Sequence, residues 1–376
     1  MKKKVWMLLS VLMITVLGVF VGCSSDVVTE EPETKEEVVV EEKTETTDQD
    51  TEKEEKEVEK QVVNLYTDRH YDTDEELYKL FTEETGIEVN VVKGKGDELI
   101  ERLVREGEDT EADLLITADA GRLHRAKTSD LLQPVESEVL TTNIPENLVD
   151  QDHQWFGITM RARILAYAPD RVNVEELTTY ADLADPKWND KILVRSSTNI
   201  YNQSLVASLI AIQGEEATKE WAAGVVENMA REPEGNDRAQ ATAVVAGEGD
   251  IAIMNSYYIG KMINSSEPEE VKVAESVKIF FPDQDTNGTH INVSGVGLTK
   301  HAKNQENAIK LMEFLSSETA QEQYAQANYE YPVNPNVEPS ELLQSWGEFK
   351  TQDINLSLLG EYNAKAVEIM NEVGWK

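Results

Sequence analysis

From residue 61 onward, short apolar runs alternate with amphipathic ones, and this alternation constrains the fold more than any other feature of the chain. VVNLY (62–66) reads as a strand, and TDEELYKLFTEETG (73–86) as a helix closed by a C-cap glycine. IEVNVV (87–92) reads as the next strand, followed by a helix near 97–106. ADLLITAD (112–119) reads as a buried strand, after which GRLHRAKTSDLL turns helical. A β-α-β-α-β order predicts a mostly parallel sheet, with ligand chemistry at the C-terminal ends of its strands.

The second half repeats the theme with two interruptions. WFGITMRARILAYAP (155–169) is too long and too β-rich for one ordinary strand, so it is expected to cross between two lobes. THINVSGVGLTK (289–300) is the expected return crossing. Between them lie helices near 204–213 and 215–230 and a strand over GDIAIMN (249–255). Beyond them, helices are expected over 304–315, 317–326 and 357–373. The fold class is therefore α/β, with two lobes each built on a mostly parallel sheet flanked by helices. Two crossing strands would join them into a hinged clamshell, with a small-ligand cleft between the lobes.

What precedes residue 61 is not of this kind. Three lysines, an apolar run over 5–21 and then Gly22-Cys23 form a basic region, a hydrophobic region and a small residue at a cleavage point. The segment 1–22 reads as an export signal. Cys23 sits as in the bacterial lipobox, where the thiol is lipidated and becomes the mature N-terminus; Phe20 stands where leucine is usual. The rival reading is a transmembrane anchor, for which the run is short. Residues 24–60 carry 16 acidic residues against 5 lysines and no aromatic residue. Such a segment buries too little apolar surface to fold, so 23–60 reads as a lipidated cysteine on an acidic tether. The expected location is extracytoplasmic, anchored to the cell membrane by lipid.

Composition removes several functions. A net charge of −37 excludes a nucleic-acid partner, because phosphate binding needs a basic footprint. The single cysteine excludes a disulfide framework and any cysteine-based zinc cluster. No HExxH, G-x-S-x-G, Walker A or dinucleotide fingerprint occurs, so the chain does not read as an enzyme.

The tyrosines carry more information. His70-Tyr71 follows the first expected strand; Tyr201 stands where the polar turn of SSTNIYNQSL becomes helical; Tyr257-Tyr258 follows GDIAIMNS. Each is a strand-to-helix junction, the position that faces the cleft in a doubly wound lobe. Phenolate oxygen is a hard anionic ligand suited to Fe(III), and a phenol with a pKa near 10 needs a highly charged cation to lose its proton at neutral pH. Each tyrosine alone reads as a packing residue; the combination points to a metal held by His70, Tyr71, Tyr201, Tyr257 and Tyr258. Arg69, Arg161 and Arg163 are the cations expected near the cleft, where they would act as donors that tune phenolate charge. His124, His153, His290 and His301 read as surface residues.

Residues 61–376 also resemble the ferric-iron-binding proteins of bacterial ABC importers, periplasmic or lipid-anchored solute receptors with a transferrin-like clamshell. The resemblance runs colinearly through LYTDRHYDTD, ADLLITADAGRLHRA, RARILAY, DLADPKW, SSTNIYNQSLVASLI, NSYYIGKM, GTHINVSGVGLTKHAKN, AIKLMEFLSS and YEYPVNP. It implies a type II periplasmic-binding-protein fold, with 61–163 and 288–338 as lobe 1 and 164–287 and 339–376 as lobe 2. It implies as ligands the histidine and tyrosine of R-H-Y, the tyrosine of N-I-Y-N-Q-S and the Y-Y pair, which are His70, Tyr71, Tyr201, Tyr257 and Tyr258. The implied cargo is Fe(3+), with Fe(2+) as the alternative state and carbonate as an example of an anion completing the shell, which the resemblance would have Arg69, Arg161 or Arg163 hold. The implied partners are a permease and its ATPase, met by a monomer. The competing reading keeps the clamshell and changes the cargo to an organic solute, a polyamine, thiamine or a phosphonate.

Overall fold

The computed structural model describes residues 61–376. The export signal, Cys23 and the acidic tether lie outside the described residues. Among the described residues no helix is long and apolar enough to cross a membrane.

Eight strands form one hydrogen-bonded, curled sheet: β1 (Val62–Thr67), β2 (Glu88–Lys93), β3 (Leu114–Thr117), β4 (Phe156–Tyr167), β5 (Ile192–Leu193), β6 (Ile251–Asn255), β7 (Lys278–Phe280) and β8 (Ile291–Leu298). Their order is β2-β1-β3-β8-β4-β6-β5, with β7 against β4. The parallel expectation holds for β1 with β2, β1 with β3 and β5 with β6. The two crossing strands differ: β8 runs antiparallel to β3, and β4 runs antiparallel to β6, β7 and β8. Both carry the chain between its two halves: β4 keeps the direction of β1, β2 and β3 and runs against β6, and β8 returns against β3.

β4 is the shared member. Its first part pairs with β8, from Phe156 opposite Val296 to Ala162 opposite Ile291. From Arg163 opposite Asn255 it pairs with β6 instead. A register shift between Gly157 and Thr159 marks a local irregularity in the first part.

The apolar residues sort into separate cores along this path. β1, β3, β8 and the start of β4 are buried with Leu77, Phe81, Leu99, Leu123 and Trp155. Past the crossing, strand alternation divides the side chains. Leu165, Tyr167, Ile251 and Ile253 enter one core with Leu205 and Trp221, while Ile164, Ala166, Ala252 and Met254 enter another with Ile259 and Met262. The C-terminal segment is divided between them: Leu356 and Leu359 join the first core, whereas Ala366, Ile369, Met370 and Trp375 join the second.

Most helices lie where the amphipathic pattern puts them. The helix Asp72–Thr85 ends on Gly86 in the left-handed region, φ 74°, with its N–H donating to the Thr82 carbonyl. The helix expected near 204 begins earlier, as Ile200–Gln213, which brings Tyr201 into its first turn. The expected C-terminal helix is broken into Ser357–Glu361 and Asn363–Glu372. The helix Glu318–Gln323 runs into a π-helical turn, Tyr324–Asn328, and stops at Tyr329 in the left-handed region.

Candidate functional site

The strand-to-helix junctions converge on one cleft of about 950 Å³, onto which His70, Tyr71, Tyr201, Tyr257 and Tyr258 all open. The loop after β1 supplies the first two, the helix Ile200–Gln213 the third, and the helix Ser256–Ile263, following β6 without a loop, the last two. His70 is exposed, its Nδ1 3.4 Å from the Asp68 carbonyl, and its ring lies 5.1 Å from that of Tyr71. Tyr257 and Tyr258, although adjacent, do not diverge; their rings stack at 4.2 Å. Among the described residues no group of three or more His, Cys, Asp or Glu is arranged to hold a metal ion.

Burial makes the phenols of Tyr71, Tyr257 and Tyr258 hard to ionise. It pushes Tyr71 and Tyr257 well up, with further rises from Glu330 and Tyr201 beside the first and from Tyr201 and Tyr71 beside the second. Tyr258 is raised to about 12, chiefly by burial. A neutral cleft would keep these protons; a highly charged cation would displace them.

The three arginines have different places. Arg69 is fully enclosed, its Nε 3.1 Å from both Asp74 oxygens and its Nη2 donating to Asp74 Oδ1 and Glu330 Oε2, each at 2.9 Å. Its guanidinium lies 5.0 Å from the Tyr71 ring centroid. Arg161, also buried, donates to Ser294 Oγ at 3.0 Å and to the Ala118 carbonyl, and approaches the Tyr201 ring to 5.6 Å. Arg163 is neither on the cleft nor on the surface. It is buried behind the Tyr201 helix, donating to Asp237 Oδ1 at 2.7 Å, Asn255 Oδ1 at 3.1 Å and Asn202 Oδ1 at 2.6 Å.

The model of the family described as bacterial extracellular solute-binding protein matches residues 109–354. The chain belongs to the bacterial extracellular solute-binding proteins. Iron uptake protein A1 of Synechocystis is 53% identical over 318 residues, 85% of this chain and 88% of that protein. A solved Trichodesmium protein (IdiA, FutA), in complex with iron and citrate, is 50% identical with a TM-score of 0.82, over 84% of this chain and 100% of that one. The ferric binding protein from Campylobacter jejuni is 45% identical with a TM-score of 0.80, over 84% and 100% of the two chains. The fold class read from the sequence, a type II periplasmic-binding-protein clamshell, is the one these structures share.

Several side chains of this solute-binding protein's cleft were not legible in its motifs. Arg195 opens on the cleft 5.6 Å from the Tyr201 ring and is held by Asp237 Oδ2 at 2.6 Å. Asp237 is itself fully buried, bridging Arg195 and Arg163 and accepting the Asn255 N–H at 3.0 Å. Lys261, one turn beyond the paired tyrosines, brings its Nζ to 3.2 Å from the Tyr71 ring centroid, and burial lowers its pKa to about 8. Asp119 accepts from Ser204 Oγ at 2.8 Å and Asn292 Nδ2 at 2.6 Å, tying the Tyr201 helix to the helix Ala120–Thr128 and to β8. Each is one charged or polar residue among many, and only the folded chain singles it out. His290 corrects the sequence reading outright: it is buried at the crossing, bonded through Nδ1 to Gln352 Oε1 at 3.2 Å, with burial lowering its pKa to about 3.

Proposed function

We propose that this chain is an extracytoplasmic lipoprotein that captures ferric iron and delivers it to an ABC importer. Fe(3+) would be held by the phenolates of Tyr71, Tyr201, Tyr257 and Tyr258 and the imidazole of His70, with the protein performing no chemical turnover. The observation that carries this reading is the donor set: four phenols and one imidazole from three separate junctions open on one cleft, and no carboxylate, thiolate or imidazole cluster competes among the described residues. Hard anionic oxygen matches a hard trivalent ion. Four phenolates exceed the ferric charge by one; Arg163 and Arg195 share the single carboxylate Asp237, which leaves one cationic charge beside the Tyr201 ring to offset the excess. The names of the similar proteins, an iron uptake protein and a ferric binding protein, favour the same cargo.

Capture at the membrane follows from Cys23, lipidated after removal of residues 1–22, with the acidic tether holding the body, a monomer, away from the surface. Its partners would be the permease and ATPase of the importer. Ferric citrate added to the iron-free full-length protein should produce a visible tyrosinate-to-iron band and raise the melting temperature. A Y257F/Y258F variant should lose the colour. No band and no stabilisation in the parent protein would refute the ferric reading.

A further inference from the structure

The two halves of the proposed ferric site ride on different cores, and one short segment touches both. His70-Tyr71 follows β1 of the first core, while Tyr257-Tyr258 begin a helix whose Ile259 and Met262 belong to the third. The touching segment is the exit from the π-helical turn Tyr324–Asn328. Tyr329 there has φ 56°, a left-handed conformation in which Cβ crowds the backbone and which bulky residues rarely adopt. It persists only where surrounding contacts impose it.

Those contacts point in two directions. Tyr329 lies flush against Gly260, one turn past the tyrosine pair; a Cβ added at Gly260 would stand 2.5 Å from Tyr329 Cβ and 2.6 Å from its Cγ. Glu330, the next residue, is buried and turned inward. Its Oε1 accepts from Arg69 Nη1 at 3.1 Å and Thr159 Oγ1 at 3.0 Å, and its Oε2 from Arg69 Nη2 at 2.9 Å. Arg69 immediately precedes His70 and lies against the Tyr71 ring. Tyr331 then exchanges backbone hydrogen bonds with Met160, at 2.7 and 2.9 Å, pinning the segment to β4. Successive residues thus bear on the Tyr257–Tyr258 helix, on the arginine behind His70-Tyr71, and on the shared strand.

We propose that Tyr329 and Glu330 are positioning residues whose step fixes the distance between the two ligand pairs, so that they meet one ion. The inference rests on the ferric reading of the cleft. Neither residue touches the ion; Tyr329 acts through the backbone at Gly260, and Glu330 through Arg69.

The test uses the full-length protein, stripped of iron and reloaded from ferric citrate. G260A introduces the clashing Cβ, and alanine is the better helix former, so the helix itself is not weakened. Y329G suits the positive φ and removes the side chain that Gly260 meets. Overpacking against Tyr329 should lower the melting temperature of iron-free G260A by several degrees while leaving it folded at room temperature, and Y329G should stay within a few degrees of the parent. Both should shift the tyrosinate band and speed iron release to excess EDTA by about tenfold to a hundredfold, the scale on which metal affinity falls when the residues that orient its ligands are changed. The double variant G260A/Y329G, in which the clash has no partner, should release iron no faster than Y329G alone. E330Q should shift the band in the same direction. Parent-like band and release rate in both single variants would overturn the proposal, as would a double variant worse than either single one. A parent protein without any band would refute the ferric reading itself, and this inference with it.

Discussion

Loading the cleft with ferric ion should release protons, and the phenols set how many. Burial raises Tyr258 to about 12, so at pH 7 only about one molecule in 100,000 has this phenol ionised, and ionising it costs about 7 kcal/mol. Tyr71 and Tyr257 are raised in the same direction, again chiefly by burial. These protons leave only as metal–oxygen bonds form. The sign follows: the free cleft holds protons that the loaded cleft has lost, so affinity rises with pH throughout the range below the phenol values and falls on acidification. Each phenol displaced contributes about a tenfold change in affinity per pH unit, so Tyr71, Tyr257 and Tyr258 together give a slope of about three decades. The assay is a pH-stat titration of weakly buffered full-length protein with a ferric complex whose own proton uptake is known. The expected count is three to four protons per ion for a site with Tyr71, Tyr201, Tyr257 and Tyr258 as ligands, and one fewer in Y258F. A count of one or less, or an unchanged count in Y258F, would refute the phenolate reading.

Two further predictions concern the scaffold. D237N leaves the buried Arg163 facing a neutral amide and frees Arg195 from its partner. It should cost about 3–5 kcal/mol in chemical denaturation, the range for breaking a buried ion pair. G360A would set a Cβ 2.2 Å from the Cβ of His124 on the facing helix, and should cost about 1–3 kcal/mol through overpacking, with the iron band retained.

The architecture was legible wherever pattern and burial coincide. TDEELYKLFTEET gave its helix because Leu77, Tyr78 and Phe81 fall on one face and Gly86 ends it. β3 and β6 were readable because runs buried on both sides are nearly all apolar, and β1 because its apolar residues alternate with half-buried ones at its start. The directions of β4 and β8 were not, since a strand's apolar pattern is the same read along or against its neighbours. The π-helical turn at Tyr324 was also invisible, because its extra residue per turn is imposed by packing. In the cleft, the tyrosines could be found by their junctions, which depend on local order. Asp237, Glu330 and Lys261 could not, because what distinguishes them is a partner far away in sequence. Glu330 pairs with Arg69, 261 positions earlier.

The division of the C-terminal segment sets when this chain can fold. β3 pairs with β8 across some 180 residues, so Leu114 waits for Leu298. The first core is not complete before Leu359 is available, nor the second before Trp375, whose ring lies 6.2 Å from that of Trp221 and whose Nε1 donates to the Arg195 carbonyl at 3.0 Å. Closure over such separations is slow, because loop entropy must be overcome before distant contacts form. The buried members of the third core are all present by Phe281, but the first and second close only with the C-terminal segment, so much of the apolar surface of a chain emerging from its N-terminus stays uncovered until late in its synthesis.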